Sequence, residues 1–412
     1  MSVGEASSGR GYAAFTHRDF RLHCAARLLF GIALSMQTVA VGWYVYSVTK
    51  SALALGLSGL SSFLPAALLA LYTGHVADSY NRRTVLALSF AGCAISSAGL
   101  LLLVSLGSDD MMLLYACIIV GGASRAFANP TAQALTPNLV PREHFANAVT
   151  WYTSFWQGSR IVGPALGGLL YIFGPPVPFI IVTASFVIGA LLVMMIHTNT
   201  KPQGGRGPIN WETLSAGLRF IMSRKVILGA ISLDLVAVLF AGATALMPVV
   251  AQDILQVGPW GLGLLRAAPA LGAIAMGAWL AYVPISRGAG KKMLLAVGVY
   301  GFATICFGLS DQLWLCMLAL FVVGAADQIS VVVRHTMVQS ETPDEMRGRV
   351  AAVNSIFISG SSDLGEFESG VTAAWWGTVP AIVFGGAMTM GFAALWSVLF
   401  PQLRDRDQLM GK

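Results

Sequence analysis

Twelve apolar runs leave this chain few folds to choose from. They lie near residues 22–47, 52–77, 84–106, 111–135, 145–172, 176–197, 226–251, 260–283, 293–310, 312–335, 349–374 and 376–400. A membrane-spanning helix needs roughly 20 such residues. Within a bilayer every backbone polar group must find a protein partner, so only helices and closed barrels can cross. None of the runs alternates with period two, which argues against a barrel. The expected fold is an all-α membrane protein with twelve transmembrane helices.

Composition agrees. Of 412 residues, 56% are hydrophobic and 11% charged, against roughly 25% charged in a soluble chain. A soluble enzyme, a disordered chain, a coiled coil and a small disulfide scaffold are excluded. The five cysteines, Cys24, Cys93, Cys117, Cys306 and Cys316, sit inside apolar runs without C-x-x-C spacing and read as packing thiols. Residues 1–20 hold no apolar core of a signal peptide, and the first apolar run is too long to be one.

Positive charge orients the spans. Nineteen Lys and Arg residues, among them Arg82, Arg83, Arg142, Lys291, Lys292, Arg347 and Arg349, fall on one side, against Lys50 on the other. Both termini and the central loop are expected on the cytoplasmic side. The net charge of +6 then needs no nucleic-acid partner. The longest polar stretch divides the chain into an N-terminal six-helix bundle (1–197), a linker (198–225) and a C-terminal six-helix bundle (226–412). Trp211, Leu214, Leu218 and Ile221 share a helical face in that linker, which predicts a short amphipathic helix at the interface, a strap between the halves or a regulatory element.

The halves can be superposed in sequence. At an offset of 202 residues Gly122 meets Gly324, Ala123 meets Ala325, Pro141 meets Pro343, Gly163 meets Gly365 and Gly168 meets Gly370. Over the first two helices of each half the offset drifts, so that Gly74 meets Gly277 and Leu55-Gly56-Leu57 meets Leu262-Gly263-Leu264. Two parallel six-helix pseudo-repeats are the plan of a transporter with its site between the halves.

The run Gly74-His75-Val76-Ala77-Asp78 followed by Asn81-Arg82-Arg83 resembles the signature between the second and third helices of the major facilitator superfamily. Gly163-Pro164-Ala165-Leu166-Gly167-Gly168 is similar to the fifth-helix motif that the superfamily's antiporters carry. Gly42-Trp43, Gln252-Asp253-Ile254-Leu255, Gly263-Leu264-Leu265-Arg266-Ala267-Ala268-Pro269 and Thr342-Pro343-Asp344-Glu345-Met346-Arg347-Gly348-Arg349 resemble the branch of drug and siderophore exporters around the enterobactin exporter. Ser79 replaces the loop's usual basic residue and Asn81 its glycine, while Ala281 stands at the aspartate position of the second-half copy. The resemblance implies a gating role for Gly74, Asp78, Arg82, Arg83, Arg347 and Arg349, and a seal against leak at Gly163, Pro164, Gly167 and Gly168.

Ten ionisable residues fall within spans: Arg27, Arg125, Arg160, Arg266, Arg334, Asp234, Asp327, Asp363, Glu366 and Glu368. Left unpaired in lipid they would cost about 25–35 kcal/mol at roughly 2.5–3.5 kcal/mol each, more than the roughly 5–15 kcal/mol of net stability a fold has. They must pair, line water or be neutral. Arg27 and Arg334 lie near cytoplasmic ends and could snorkel or anchor. Asp363 and Glu366, three residues apart, share a helical face, and two carboxylates there resist being charged together. Asp363, Glu366, Glu368 and Asp234 are therefore the candidates for carrying a coupling proton; holding helices together by hydrogen bonds is the structural alternative. The implied fold places Arg125 and Asp327 on opposing cavity helices, where they could form a gate-like pair or each satisfy a neighbour in its own half. It places Arg160 and Arg266 on neighbouring helices, where they need an acid or an anionic substrate between them. Arg125, Asp327, Arg160, Arg266, Gln37 and Gln328 are the cavity and substrate candidates.

No G-x-x-x-x-G-K-[ST] loop is present, so ATP is not expected as energy source. No metal, cofactor or catalytic constellation is expected. The reading is a secondary active exporter of the bacterial inner membrane, a monomer exchanging a siderophore-like or drug-like compound for protons. Multidrug efflux of lipophilic cations, a facilitator or importer, and a non-transporting sensor or scaffold are the alternatives.

Overall fold

In the computed structural model the described residues, 11–198, 211–240, 242–285 and 287–407, are almost entirely helical. The long helices are α1 (Arg18–Thr49), α2 (Ala52–Ser79), α3 (Arg82–Ser105), α4 (Met111–Leu135), α5 (Phe145–Leu170) and α6 (Pro176–Met194). After α7 (Trp211–Ser223) come α8 (Lys225–Phe240), the single turn α9 (Met247–Val249), α10 (Pro259–Tyr282), α11 (Ala289–Leu309), α12 (Leu313–Glu341), α13 (Asp344–Trp376), α14 (Thr378–Leu399) and the short α15 (Pro401–Arg404). Among the described residues ten helices are long and apolar enough to span a bilayer. The helices α5 and α13, which hold Arg160 and the acids Asp363, Glu366 and Glu368, fall outside that set.

Helix ends follow local chemistry. Asn81 caps α3 by accepting the Arg83 N–H at 3.1 Å, and Asp110 caps α4 by accepting those of Met112 (2.9 Å) and Leu113 (3.1 Å). Asp19, in the first turn of α1, accepts the backbone N–H groups of His197 and Thr198 and so fixes the chain beyond α6. The turns after α1 and before α10 each contain one non-glycine residue in the left-handed region, Lys50 (φ 49°) and Gln256 (φ 50°). Gly377, at φ 89° between α13 and α14, takes a conformation that side chains resist.

The chain forms two compact units. The first comprises residues 1–40 and 64–208, the second 41–63 and 209–412, so α1 and α2 each change unit part-way along. In the first, α3 packs on α4 and α6, and the core gathers Phe20, Phe30, Phe90, Phe186 and Leu135, each at most 2% exposed. Ring stacking of Phe30 on Phe90 at 4.5 Å fixes α1 against α3. In the second, α12 packs on α10, α11 and α8, while α13 packs on α7, α8 and α14.

Close helix approach rests on small residues, as expected where apolar side chains gain little over lipid. A Cβ on Gly272 would meet the Phe321 carbonyl of α12, and one on Gly324 the Pro269 carbonyl of α10. Gly301 of α11 and Gly386 of α14 make the same reciprocal approach, a Cβ on each lying 2.6 Å from the other's carbonyl oxygen. Of α7, the part whose side chains are described docks on the second unit. Ile221 is buried with Ile227, Ile231, Val338, Val350 and Val353, and Gly217 lies against the Arg349 backbone.

Candidate functional site

The charges that the sequence places inside spans gather into separate clusters, one around Arg27 of α1 in the first unit and one around Asp234 of α8 in the second. In the first unit α1 carries Arg27, 5% exposed. Its Nη1 donates to Asn129 Oδ1 of α4 at 2.9 Å, and its guanidinium lies 3.8 Å over the Trp156 ring and 4.9 Å from the Tyr152 ring centroid, both on α5. One turn earlier, His23 stacks on Tyr152 and lies 3.2 Å from the Thr136 hydroxyl. Two aromatic faces and an amide oxygen hold this cation, with no carboxylate in an ion pair with it among the described residues.

In the second unit α8 carries Asp234, 5% exposed, whose Oδ2 accepts Arg334 Nη1 of α12 at 3.0 Å. Arg334, 3% exposed, also lies 3.4 Å from Asn354 Oδ1 of α13. Asp327, half-buried on α12, acts electrostatically on Asp234 and on the Tyr300 hydroxyl of α11. Neither Arg27 nor Arg334 snorkels: both guanidinium groups turn inward to polar partners on neighbouring helices.

Higher in the second unit, Arg266 of α10 reaches toward the Thr244 carbonyl (Nη2 to O, 3.5 Å), while its Nε is buried with no hydrogen-bond partner. Glu366 of α13 is its electrostatic partner. Both side chains border glycines of the α1–α2 hairpin: Arg266 faces Gly42 and Glu366 faces Gly59. The sequence reading left an acid or an anionic substrate as the partner of Arg266, and an acid takes that place here. Glu368 points elsewhere, accepting the Thr372 hydroxyl at 2.7 Å. Asp363 is half-buried one turn before Glu366.

The same hairpin is tied to the residues after α9. The Tyr46 hydroxyl donates to Asp253 Oδ2, Lys50 Nζ lies 3.6 Å from Asp253 Oδ1 and donates to Gln252 Oε1 at 3.1 Å, and Gln252 Nε2 donates to the Trp43 carbonyl at 3.2 Å. Lys50, the lone cation of its face in the sequence, is thus engaged.

Of the gating candidates, Arg82 and Arg83 serve helix C-termini, where carbonyls lack partners and carry negative charge. Arg82 Nη1 donates to Ala134 O (2.8 Å) and Asn138 Oδ1 (2.7 Å), and Arg83 Nη1 to Ile196 O (2.7 Å). Gly74 lies on α2, as does Asp78, whose side chain falls outside the described ones. Arg347 and Arg349 are exposed in the first turns of α13. Gly163 and Gly167 of α5 press on α1 at Ile32–Met36: a Cβ on Gly163 would lie 2.9 Å from Ile32 O, and one on Gly167 3.0 Å from Met36 O. Pro164 between them is buried, and so is Gly168. Gln37 and Arg125 are half-buried and Arg160 is exposed in the first unit, while Gln328 of α12 faces Gly277 of α10 in the second. Arg125 and Asp327 belong to different units, as do Arg160 and Arg266.

Sequence reasoning passed over Asn129, Tyr152, Trp156, Tyr300 and Asn354. The repeat held a signal for two of them: the 202 offset aligns Tyr152 with Asn354, and the 207 offset of the first helices aligns Arg27 with Asp234.

A family described as transmembrane secretion effector matches residues 9–410. The chain belongs to that family. Its relatives and structural neighbours are major facilitator transporters, so this is a multi-pass membrane transporter and not an enzyme. Among curated proteins, the enterobactin exporter EntS of Escherichia coli O81 (strain ED1a) is 28% identical over 342 residues, 81% of this chain and 80% of that protein. Among solved structures, a bacterial homologue of the human lysosomal transporter Spinster, inward-facing and occupied, superposes with a TM-score of 0.74 at 15% identity, covering 96% of this chain and 99% of that one. A bacterial homologue of the iron transporter ferroportin, inward-facing, gives 0.73 at 13% identity, covering 94% and 99%. At these identities the likeness is one of fold.

Proposed function

We propose that this protein is a secondary active exporter of the bacterial inner membrane, which moves a siderophore-like or drug-like organic compound outward in exchange for protons. Twelve helices in two six-helix pseudo-repeats, 1–197 and 226–412 joined by the 198–225 linker, would work as a monomer by alternating access, with both termini cytoplasmic. The observation that carries the reading is the set of ionisable side chains held inside membrane helices. Such groups are costly and mark ion or substrate pathways. The sequence relationship to an enterobactin exporter supports outward transport and a siderophore-like cargo. The lack of a nucleotide-binding loop favours an ion gradient as energy source.

Purified protein in liposomes containing a pH-sensitive dye tests this. Addition of a catecholate siderophore should drive proton flux in wild type. Substrate movement without proton flux would leave a facilitator, and ethidium flux without siderophore flux would favour the multidrug alternative. No flux with either compound would favour a sensor or scaffold.

A further inference from the structure

Arg266 has less hydrogen bonding than its setting demands. It lies seven residues into α10, about 10.5 Å along the axis from Pro259, in a span that crosses roughly 30 Å of hydrocarbon. A guanidinium carries five N–H donors and stays charged there. Its hydrogen bond from Nη2 to the Thr244 carbonyl is long, at 3.5 Å, and Nε is buried without an acceptor. Arg27 and Arg334 also leave Nε unmet. The first, however, has Asn129 at 2.9 Å and two aromatic faces, and the second has Asp234 at 3.0 Å. Arg266 takes part in none of the ion pairs among the described residues; Glu366 acts on it as a nearby charge. Unmet donors on a buried cation cost free energy, so their retention asks for a reason.

The backbone around this guanidinium is irregular too. α8 ends at Phe240, a 3-10 turn runs over Gly242–Leu246, α9 makes one turn, and a π turn follows at Val250–Ile254. The carbonyl that Arg266 reaches belongs to the 3-10 turn. Interrupted membrane helices build binding sites in transporters, because their ends and loosened backbone offer polar groups to a ligand. From α1 comes Gly42, where an added Cβ would lie 3.8 Å from Arg266 Nη2 and 3.2 Å from the Pro248 ring. Backbone bare of a side chain therefore borders the cation, as it does where a ligand must come close.

We propose that Arg266 recognises a carboxylate on the cargo, its Nε and one Nη donating side by side to the two carboxylate oxygens. The planar fork matches that pair of oxygens, and charge-assisted bonds of this kind are strong and directional. A phenolic hydroxyl keeps its proton at neutral pH, so on an aromatic cargo the carboxylate is the group that arrives ionised. Glu366 balances the cation from α13, and its negative charge opposes an anion at the same guanidinium. The assignment rests on the exporter reading and narrows its cargo to organic anions, as distinct from lipophilic cations.

The test compares two probes that differ in this one group, radiolabelled 2,3-dihydroxybenzoate and its methyl ester, by equilibrium dialysis against the full chain in lipid nanodiscs at neutral pH. Wild type should bind the acid about tenfold or more tighter than the ester, the value of a charge-assisted hydrogen bond. Arg266→Gln should erase that difference. Arg266→Lys, which keeps the charge and loses the fork, should fall between the two. Glu366→Gln should shift the other way and bind the acid several-fold tighter, a gain that a merely structural Arg266 would not produce. Acid and ester binding alike in wild type, no binding of the acid, or acid affinity unchanged in Arg266→Gln overturns the assignment. A drop in thermal stability of Arg266→Gln with acid affinity intact overturns it too, and leaves internal water as the partner of Nε. Should Arg266→Gln fail to fold, unchanged acid affinity in both Arg266→Lys and Glu366→Gln is the refuting result. Liposome efflux separates the two levels. Siderophore efflux that persists in Arg266→Gln with acid binding intact refutes the site and leaves the exporter reading standing. Arg266-dependent binding in a protein that moves no cargo refutes the exporter reading instead.

Discussion

Asp234→Asn should be among the most destabilising conservative substitutions in this protein. Its ion pair with Arg334 is 3.0 Å long, between side chains 6% and 3% exposed. At an effective dielectric constant of about 20, unit charges at that separation attract by about 5.5 kcal/mol, much of which repays the cost of taking both groups out of water. Removing one partner leaves that cost without its return. Arg334 would keep a 3.4 Å contact to Asn354, and its Nε already has no acceptor. Buried pairs broken in this way lose about 3–5 kcal/mol. Because Arg334 keeps its Asn354 contact, the expectation is the lower end of that range, about 3 kcal/mol, or about a hundredfold in an unfolding rate. The assay is unfolding in detergent, followed by tryptophan fluorescence. The double variant Asp234→Asn/Arg334→Gln removes the stranded charge and should recover most of the loss, giving a coupling energy of about 2 kcal/mol in the cycle. A single variant within about 0.5 kcal/mol of wild type, or a double variant no better than the single, would refute the reasoning.

Other substitutions sort by what the side chains touch. Gly272→Ala should cost several kcal/mol, on the order of the overpacking penalties seen in tight cores, because its Cβ would run into the Phe321 carbonyl; Gly298→Ala, with nothing within 4 Å of its Cβ, should be neutral or slightly stabilising. Thermal stability of the two in the same detergent decides the point. Arg27→Gln should lose about 2 kcal/mol, from two aromatic faces and the Asn129 hydrogen bond, and Arg27→Lys should recover less than half of it because an ammonium cannot stack. Asp253→Asn should change global stability by less than about 1 kcal/mol, since Lys50 and Asp253 are 59% and 47% exposed. It should nevertheless speed amide exchange in Val250–Ile254, and unchanged exchange there would show that the Tyr46 and Lys50 contacts do not hold that turn.

The apolar runs revealed the helices because burial in lipid demands long continuous apolar segments, and the helices found begin and end close to those runs. α5 and α13 were legible as helices although their polar residues keep them from looking like ordinary spans. Caps such as Asp110 and turn residues such as Gly377 are local and could be read locally. The partners of the buried charges could not. Asp234 and Arg334 are 100 residues apart in the chain, and whether they meet depends on how α8 and α12 are rotated about their axes, which hydrophobicity alone does not specify when helices are apolar on every side. Arg27 shows the same limit: its partners among the described residues are Asn129, Tyr152 and Trp156, which a search for carboxylates would have passed over.

The chain changes compact unit within two helices, between residues 40 and 41 of α1 and between 63 and 64 of α2. Each crossing lies beside a weak point. Gly42 follows the first by one residue and has less conformational restraint than any side-chain-bearing residue. Pro65 follows the second, and its missing N–H leaves the Ser61 carbonyl without its helical donor. Both features lower a helix's resistance to bending, and both fall where the backbone passes from one packed body to the other, whereas the interdigitated glycine contacts of α10 with α12 and of α11 with α14 hold those helix pairs in register.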